Sequence, residues 1–242
     1  GAVLPDPPVC VDYSSQSDKW SANHERFLAG MKARKYPLLF FWGAFGHEND
    51  NACIANCNDI IHDFDWLAVK RNEPYPVFTD ATSDNAHPWP VKMQEDGKHP
   101  VDGFAGQING FFRWRNAVAT SVRVEMEIYL ASPKSKFSRL QAPEKATAAV
   151  TVRRLGAFRP DAGERIRWSF GAQSGEIAAE GLLTIPALEI ARMPQKLVLE
   201  RVAARLEPGE PDATPAFLAA VERVRRTGGG TIEFAKGEYV FS

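Results

Sequence analysis

Two residues in the first fifty positions could share a proton: Asp18, in the sequence DKWSANHE, and His47, in the sequence WGAFGH. A carboxylate that accepts the Nδ1 proton of an imidazole fixes its tautomer and stabilises the imidazolium, which leaves Nε2 free to act as a base toward a nucleophile. The two residues are 29 positions apart, which leaves room for one helix and one strand between them. We therefore take Asp18 and His47 as a candidate catalytic acid and base.

The elements around these residues are expected to bring them to one edge of a parallel sheet. The continuous apolar run Leu38 to Trp42, followed by glycines, is typical of a strand that is buried on both faces. A shorter strand, Pro8 to Tyr13, comes before it, with a polar loop from Ser14 to Asp18. A helix from the cap Ser21 to Lys35 lies between the two strands. Its predicted apolar stripe consists of Phe27, Leu28 and Met31.

Residues 8–67 resemble the C-terminal end of an α/β-hydrolase of the dienelactone hydrolase, esterase and prolyl-oligopeptidase-like kind. In that superfamily the catalytic residues follow the order Ser, Asp, His. Asp18 matches the acid after the penultimate strand, and His47 matches the histidine after the final strand. Asp12 is a rival acid, although the strand pattern places it within the first strand and not at its end. The resemblance also implies a serine in a G-x-S-x-G elbow, and no such pentapeptide occurs in this sequence.

The resemblance implies a serine hydrolase, an esterase or peptidase-like enzyme that transfers an acyl group to water without a cofactor. Its substrate would be an ester, a peptide or a polysaccharide-linked compound. We expect the nucleophile upstream of Gly1, in a missing N-terminal part of the same protein, so the isolated chain should be inactive. An incomplete sheet would expose an unpaired edge and an apolar face, so we also expect the chain to self-associate.

Composition excludes two classes of partner and leaves the cysteines open. A net charge of −1 does not provide the basic surface that nucleic-acid binding requires. No apolar run approaches the roughly 18 residues that span a bilayer, and no signal peptide is visible. The chain has three cysteines, Cys10, Cys53 and Cys57. The last two could bind a metal with His47 or His62, but small buried core residues are the favoured interpretation, and we predict no metal.

The remaining sequence divides into three further segments after the hydrolase-like residues 1–72. Residues 73–109 form a connector rich in Pro, Asp, Asn and Gly. Residues 110–206 show the period-two alternation of an antiparallel β-sandwich and match a fibronectin type III module in size. The strongest alternation combines apolar inward positions with charged outward ones. The inward positions include Phe112, Trp114, Val122, Val124, Met126, Ile128, Leu130, Ile166, Trp168 and Phe170, and the outward ones include Arg113, Arg115, Glu125 and Glu127.

Residues 207–242 read as a helix capped by Thr214, a glycine triplet and two short strands, Thr231 to Phe234 and Glu238 to Phe241. The segment DATPAFLAAVERVRRTGGGTIEFAKGEYVF resembles the opening of pectate-lyase-like right-handed β-helix proteins. Stacked coils would have to follow it, or else it packs on the sandwich as a helix plus hairpin.

The fold class is therefore a partial parallel α/β unit followed by an all-β sandwich and a short α+β segment. The sandwich and the β-helix-like end also support an alternative function, a non-catalytic carbohydrate-binding or spacer region of a multidomain polysaccharide-processing protein. Aromatic side chains of the connector region could stack on sugars in that case: Trp66, Tyr75, Phe78 and Trp89. This combination favours an extracytoplasmic or secreted bacterial protein.

Overall fold

The computed structural model describes residues 6–15, 22–43, 58–62, 72–85, 106–134, 140–226 and 228–242. These residues are mostly β-strand, in three sheets, with two long helices, α1 (Ala22–Ala33) and α2 (Thr214–Arg226). The strands are β1 (Cys10–Ser15), β2 (Leu38–Gly43), β3 (Tyr75–Thr79), β4 (Gly106–Ile108), β5 (Phe112–Ala119), β6 (Arg123–Leu130), β7 (Lys145–Arg153), β8 (Arg165–Phe170), β9 (Gln173–Ala178), β10 (Thr184–Ala191), β11 (Gln195–Leu206) and β12 (Thr231–Phe234). Residues 58–62 are helical. No helix in the described ranges is both long and apolar enough to cross a bilayer.

The first sheet has the strand order β1-β2-β4 and contains the strands that precede the candidate acid and base in the sequence. β1 and β2 are parallel neighbours, paired from Cys10 with Leu38 to Ser15 with Gly43. Helix α1 connects them, so the predicted order of strand, helix and strand is confirmed here. β4 joins β2 antiparallel. Within the described residues this sheet therefore has a single parallel pair, β1–β2, and no parallel α/β-hydrolase core is shown.

β2 is buried on both faces, as its continuous apolar run predicts. Successive side chains of a strand point to opposite faces of the sheet. Leu39 and Phe41 belong to the large core that the sandwich also lines. The other three side chains of Leu38–Trp42 form a second cluster, against which Leu28 and Met31 of α1 pack. β2 thus lies between the helix and the sandwich.

Two predictions for this region are wrong. Phe27 was expected on the apolar stripe of the helix, but its side chain is 37% exposed. The face of α1 toward β2 carries His24, Leu28 and Met31 instead, which are spaced by four and three residues and therefore share one side of a helix. Ser14 and the residue after it were expected in a loop, but they continue β1. Ser14 is tolerated in this buried position because its hydroxyl has a hydrogen-bond partner.

The segment predicted as a connector contributes a strand to each of two sheets. β3 is buried along its whole length and pairs antiparallel with β7. Its second residue, Pro76, has no N–H to donate and breaks the sequence signal of a strand. β3 tolerates this proline because it lies at the end of the strand order β10-β7-β3, and prolines are confined to such edge strands.

The sheet β10-β7-β3 and the sheet β5-β6-β11-β8-β9 enclose one apolar core in a sandwich-like arrangement. The predicted alternation is confirmed most clearly in β6, where every second residue from Val124 to Leu130 is buried. Arg113 departs from it: this residue was predicted to point outward but is 1% exposed. Its guanidinium donates to the carbonyl oxygens of Gly110 at 2.7 Å and Phe112 at 3.0 Å, which satisfies part of its hydrogen-bonding capacity inside the protein.

The C-terminal segment forms the predicted helix but not the predicted hairpin. Residues 228–242 are all described, and only β12 among them is a strand; it pairs parallel with β11. Thr214, predicted as the helix cap, is the first helical residue, because the Ala213 carbonyl already accepts a bond from Phe217 N. The Thr214 hydroxyl instead accepts a bond from Ser242 N at 2.8 Å. The end of the chain therefore folds back onto the start of α2.

Candidate functional site

The ends of β1 and β2 define the edge of the sheet that concerns the candidate acid and base. Ser15 and Gly43 are the last residues of the two strands and pair directly with each other. Neighbouring strands lie about 4.8 Å apart, so the chain leaves this edge twice within a short distance. Asp18 follows Ser15 by three positions, and His47 follows Gly43 by four. Both predicted site residues lie outside the described residues, so they stay predictions.

A polar contact lies directly beneath this edge. The Ser14 hydroxyl is 2.7 Å from Nδ1 of His24, and Ser14 is 6% exposed. The His24 ring lies beside the Trp42 ring, with centroids 6.4 Å apart and planes nearly perpendicular. The contact joins the end of β1 to the first turns of α1, and it therefore fixes the point from which the chain enters the segment with Asp18. Nothing in the sequence pattern marked Ser14 or His24, because the pairing depends on how the helix crosses the strand.

The rival acid Asp12 lies in the middle of β1, opposite Phe40. Its carboxylate accepts a bond from the next backbone amide, Tyr13 N, at 2.8 Å. The prediction that Asp12 lies within the strand and not at its end is confirmed. Cys10, two residues earlier, is half-buried, and burial, with a smaller contribution from the charge of Asp12, raises the pKa of its thiol.

The metal alternative receives no support from the ranges that the structure describes. In them, no three His, Cys, Asp or Glu side chains come close enough together to hold an ion. His62 is exposed in the helical segment 58–62. Cys53, Cys57 and His47, the other ligands considered, lie outside the described residues.

Asn109 is a buried polar residue that sequence reasoning did not identify. It is 5% exposed, and its Nδ2 donates to the Leu38 carbonyl at 3.1 Å and to the Phe78 carbonyl at 3.0 Å. One amide group therefore ties the start of β2 to the end of β3, which belong to different sheets. Its φ of 57° lies in the left-handed region, which Asn adopts more readily than most residues. An Asn followed by Gly110 signals a turn, but not a bridge between sheets.

The aromatic residues proposed for sugar stacking are accounted for in part. Tyr75 is 0% exposed and Phe78 is 5% exposed. The Tyr75 hydroxyl donates to the Pro7 carbonyl at 2.7 Å, and Phe78 stacks on Phe112 with ring centroids 4.3 Å apart. Both side chains are core residues and offer no face to a glycan. Trp66 and Trp89 lie outside the described residues.

The chain was compared with protein-family models, curated proteins and solved structures. No protein-family model, no curated protein and no solved structure matches it.

Proposed function

We propose that this chain carries the acid and base of a serine hydrolase, with Asp18 as the acid and His47 as the base. The observation that supports the proposal is the register of the two parallel strands, which end together at Ser15 and Gly43. The segments that follow them hold the two residues, and the carboxyl ends of neighbouring parallel strands are where ligands bind in open α/β sheets.

In the proposed mechanism, the Asp18 carboxylate accepts the Nδ1 proton of His47 and holds the imidazole in one orientation. Nε2 then removes the proton of a serine hydroxyl as the oxygen attacks an acyl carbon, and later returns it to the leaving group. This chain contains no G-x-S-x-G elbow, so the proposal assigns only the acid and base. The Ser14–His24 contact has a supporting role, because it fixes the end of β1 before the segment with Asp18.

A pH titration of the histidine ring protons by NMR tests this assignment. A carboxylate within hydrogen-bond distance favours the charged imidazolium, so the pKa of His47 should fall by about one unit or more in Asp18→Asn. Asp12→Asn is the matched control, because it removes the same charge from the middle of β1. The His47 signal is assigned with His47→Gln.

The pKa of His47 should change little in Asp12→Asn. A change in Asp12→Asn but not in Asp18→Asn would move the acid to Asp12. No change in either variant would overturn the proposal.

The carbohydrate-binding alternative has less support than the hydrolase proposal. Two of its four aromatic residues, Tyr75 and Phe78, are buried in the core, and no observation in the described ranges favours it over the hydrolase proposal.

A further inference from the structure

A cavity of about 250 Å³ lies between helix α1, the end of β3 and the residues Ile108 and Asn109 at the end of β4. Its walls are mainly apolar and include Leu28 and Met31 of α1, Leu38 of β2, Phe78 of β3 and Ile108 of β4. Leu38 is the first residue of β2, whereas the proposed catalytic edge begins after Gly43, the last. The five steps between them correspond to about 16 Å along the strand, so the cavity is separate from the catalytic edge.

Within the described ranges, no cationic side chain forms an ion pair with one carboxylate of the cavity wall, that of Asp84. Asp84 lines the cavity and accepts one hydrogen bond, from the Asn109 backbone N–H at 2.8 Å. Among the described residues, Lys32 is a cation that lines the same cavity, but its ammonium binds the Asp80 carboxylate at 2.6 Å. Lys32 and Asp80 form this ion pair with side chains that are each 62% exposed, and both also line the cavity, so the three charged lining side chains Lys32, Asp80 and Asp84 carry a net charge of −1 when ionised.

We propose that this cavity binds a small apolar ligand that carries a protonated amine. The ammonium group donates hydrogen bonds to the Asp84 carboxylate, and the apolar body of the ligand packs against Leu28, Met31 and Ile108. Mostly apolar pockets with a few converging polar groups are the usual form of small-molecule sites. An ammonium supplies a positive charge and hydrogen-bond donors for the Asp84 carboxylate.

The state of Asp84 makes the binding dependent on pH. Burial raises its pKa to about 6, although the bond from Asn109 N–H and the charge of Lys32 act in the opposite direction, and the charge of Asp80 adds to the increase. The carboxylate is therefore ionised above about pH 7 and becomes neutral at pH 5. Amine binding should weaken as the pH falls through 6, while a neutral ligand of the same shape should not respond.

Benzylamine and benzyl alcohol, two probes of matched shape, test the proposal by calorimetry on the full chain. At pH 8 the amine should bind about tenfold more tightly than the alcohol, the gain typical of a hydrogen bond to a charged group. Asp84→Asn keeps the acceptor for Asn109 N–H but removes the charge, so it should abolish the preference. Asp161→Asn is the control, an exposed aspartate that does not line the cavity.

Ala29→Trp supplies an independent test, because Ala29 is exposed on α1 and lines the cavity. A large side chain there should block both probes without altering the core. Equal binding of amine and alcohol by the wild type, no binding of either probe, or an unchanged preference in Asp84→Asn would overturn the proposal. Unimpaired binding by Ala29→Trp would do the same. None of these results bears on Asp18 and His47.

Discussion

Glu164 in the sandwich and Asp84 beside α1 are two carboxylates shielded from water, and they differ in their hydrogen-bond partners. Glu164 is 4% exposed and forms a bidentate pair with Arg201, at 2.7 and 2.6 Å, while Asp161 N adds a further bond. Asp84 accepts a single bond from the backbone of Asn109. The sandwich encloses a paired charge, whereas at the junction near α1 no described cationic side chain forms an ion pair with Asp84.

The pKa values of the two groups move in opposite directions. Burial by itself would raise the pKa of Glu164, but the hydrogen bonds from Arg201 and Asp161 N outweigh it and lower the value. Burial of Asp84 prevails and raises its pKa to about 6. A carboxylate with its cation in place contributes to the structure, whereas one without a cation lowers stability and remains available to a ligand. This contrast distinguishes the structural pair from the candidate site.

Removing one partner of the sandwich pair should have the largest effect. Arg201→Ala leaves the Glu164 carboxylate buried without its cation, so we expect a loss of about 3–5 kcal/mol in the free energy of unfolding. Urea unfolding at pH 7 measures this value. The double variant Glu164→Leu with Arg201→Met removes both charges and should recover most of the loss. A loss below about 1 kcal/mol in Arg201→Ala would show that the pair is not desolvated as described.

Asp84→Asn should have the opposite sign and a smaller size. The folded pKa of Asp84 lies above its ordinary value of 3.8, so the wild-type carboxylate lowers stability once it is ionised. We expect the variant to be about 3 kcal/mol more stable than the wild type at pH 8, since one pKa unit corresponds to about 1.4 kcal/mol. The gain should shrink as the pH falls through 6 and vanish below about 4, where the carboxyl group is protonated in both states. A gain that does not depend on pH would contradict an unpaired charge at this position.

The sequence predicted much of the fold and little of this contrast. Period-two alternation identified β6 correctly, and the apolar run Leu38–Trp42 identified a strand buried on both faces. These signals are local, because each residue reports only whether its own side is buried. The roles of Asp84 and Asn109 depend on how the end of β3 meets the start of β2, two segments about forty positions apart. No local sequence pattern encodes a contact between such distant segments. In addition, Pro76 made β3 resemble part of a connector in the sequence.

For the candidate catalytic site, too, the sequence predicted the order of the elements but not the contacts between them. The order of strand, helix and strand followed from apolar patterning, but the end of β1 at Ser15 did not, because Ser14 and Ser15 were expected in a loop. The contact between Ser14 and His24 did not, because the polar residues after Tyr13 resemble a loop in the sequence. A buried hydroxyl is tolerated in a strand only when a partner reaches it, and that partner comes from another element.

Asn109→Ala should have the smallest of the three effects and tests the connection between the two regions. The variant leaves the carbonyls of Leu38 and Phe78 without the donor that joins them, and Ala is less suited to a φ of 57°. We expect a loss of about 1–3 kcal/mol in the free energy of unfolding. Asn109→Gly permits the same backbone conformation, so the difference between the two variants separates the backbone term from the hydrogen bonds. Equal stability of the wild type and Asn109→Gly would show that the bridge contributes nothing.

The distance between the Asp18 carboxylate and the His47 imidazole tests the central proposal most directly. A crystal structure of the chain that places both side chains would measure it. The proposal predicts an Asp18 oxygen within about 2.6–3.2 Å of His47 Nδ1, with Nε2 directed away from the sheet edge. Side chains that lie on opposite sides of that edge, or a His47 ring bonded to another acid, would contradict it.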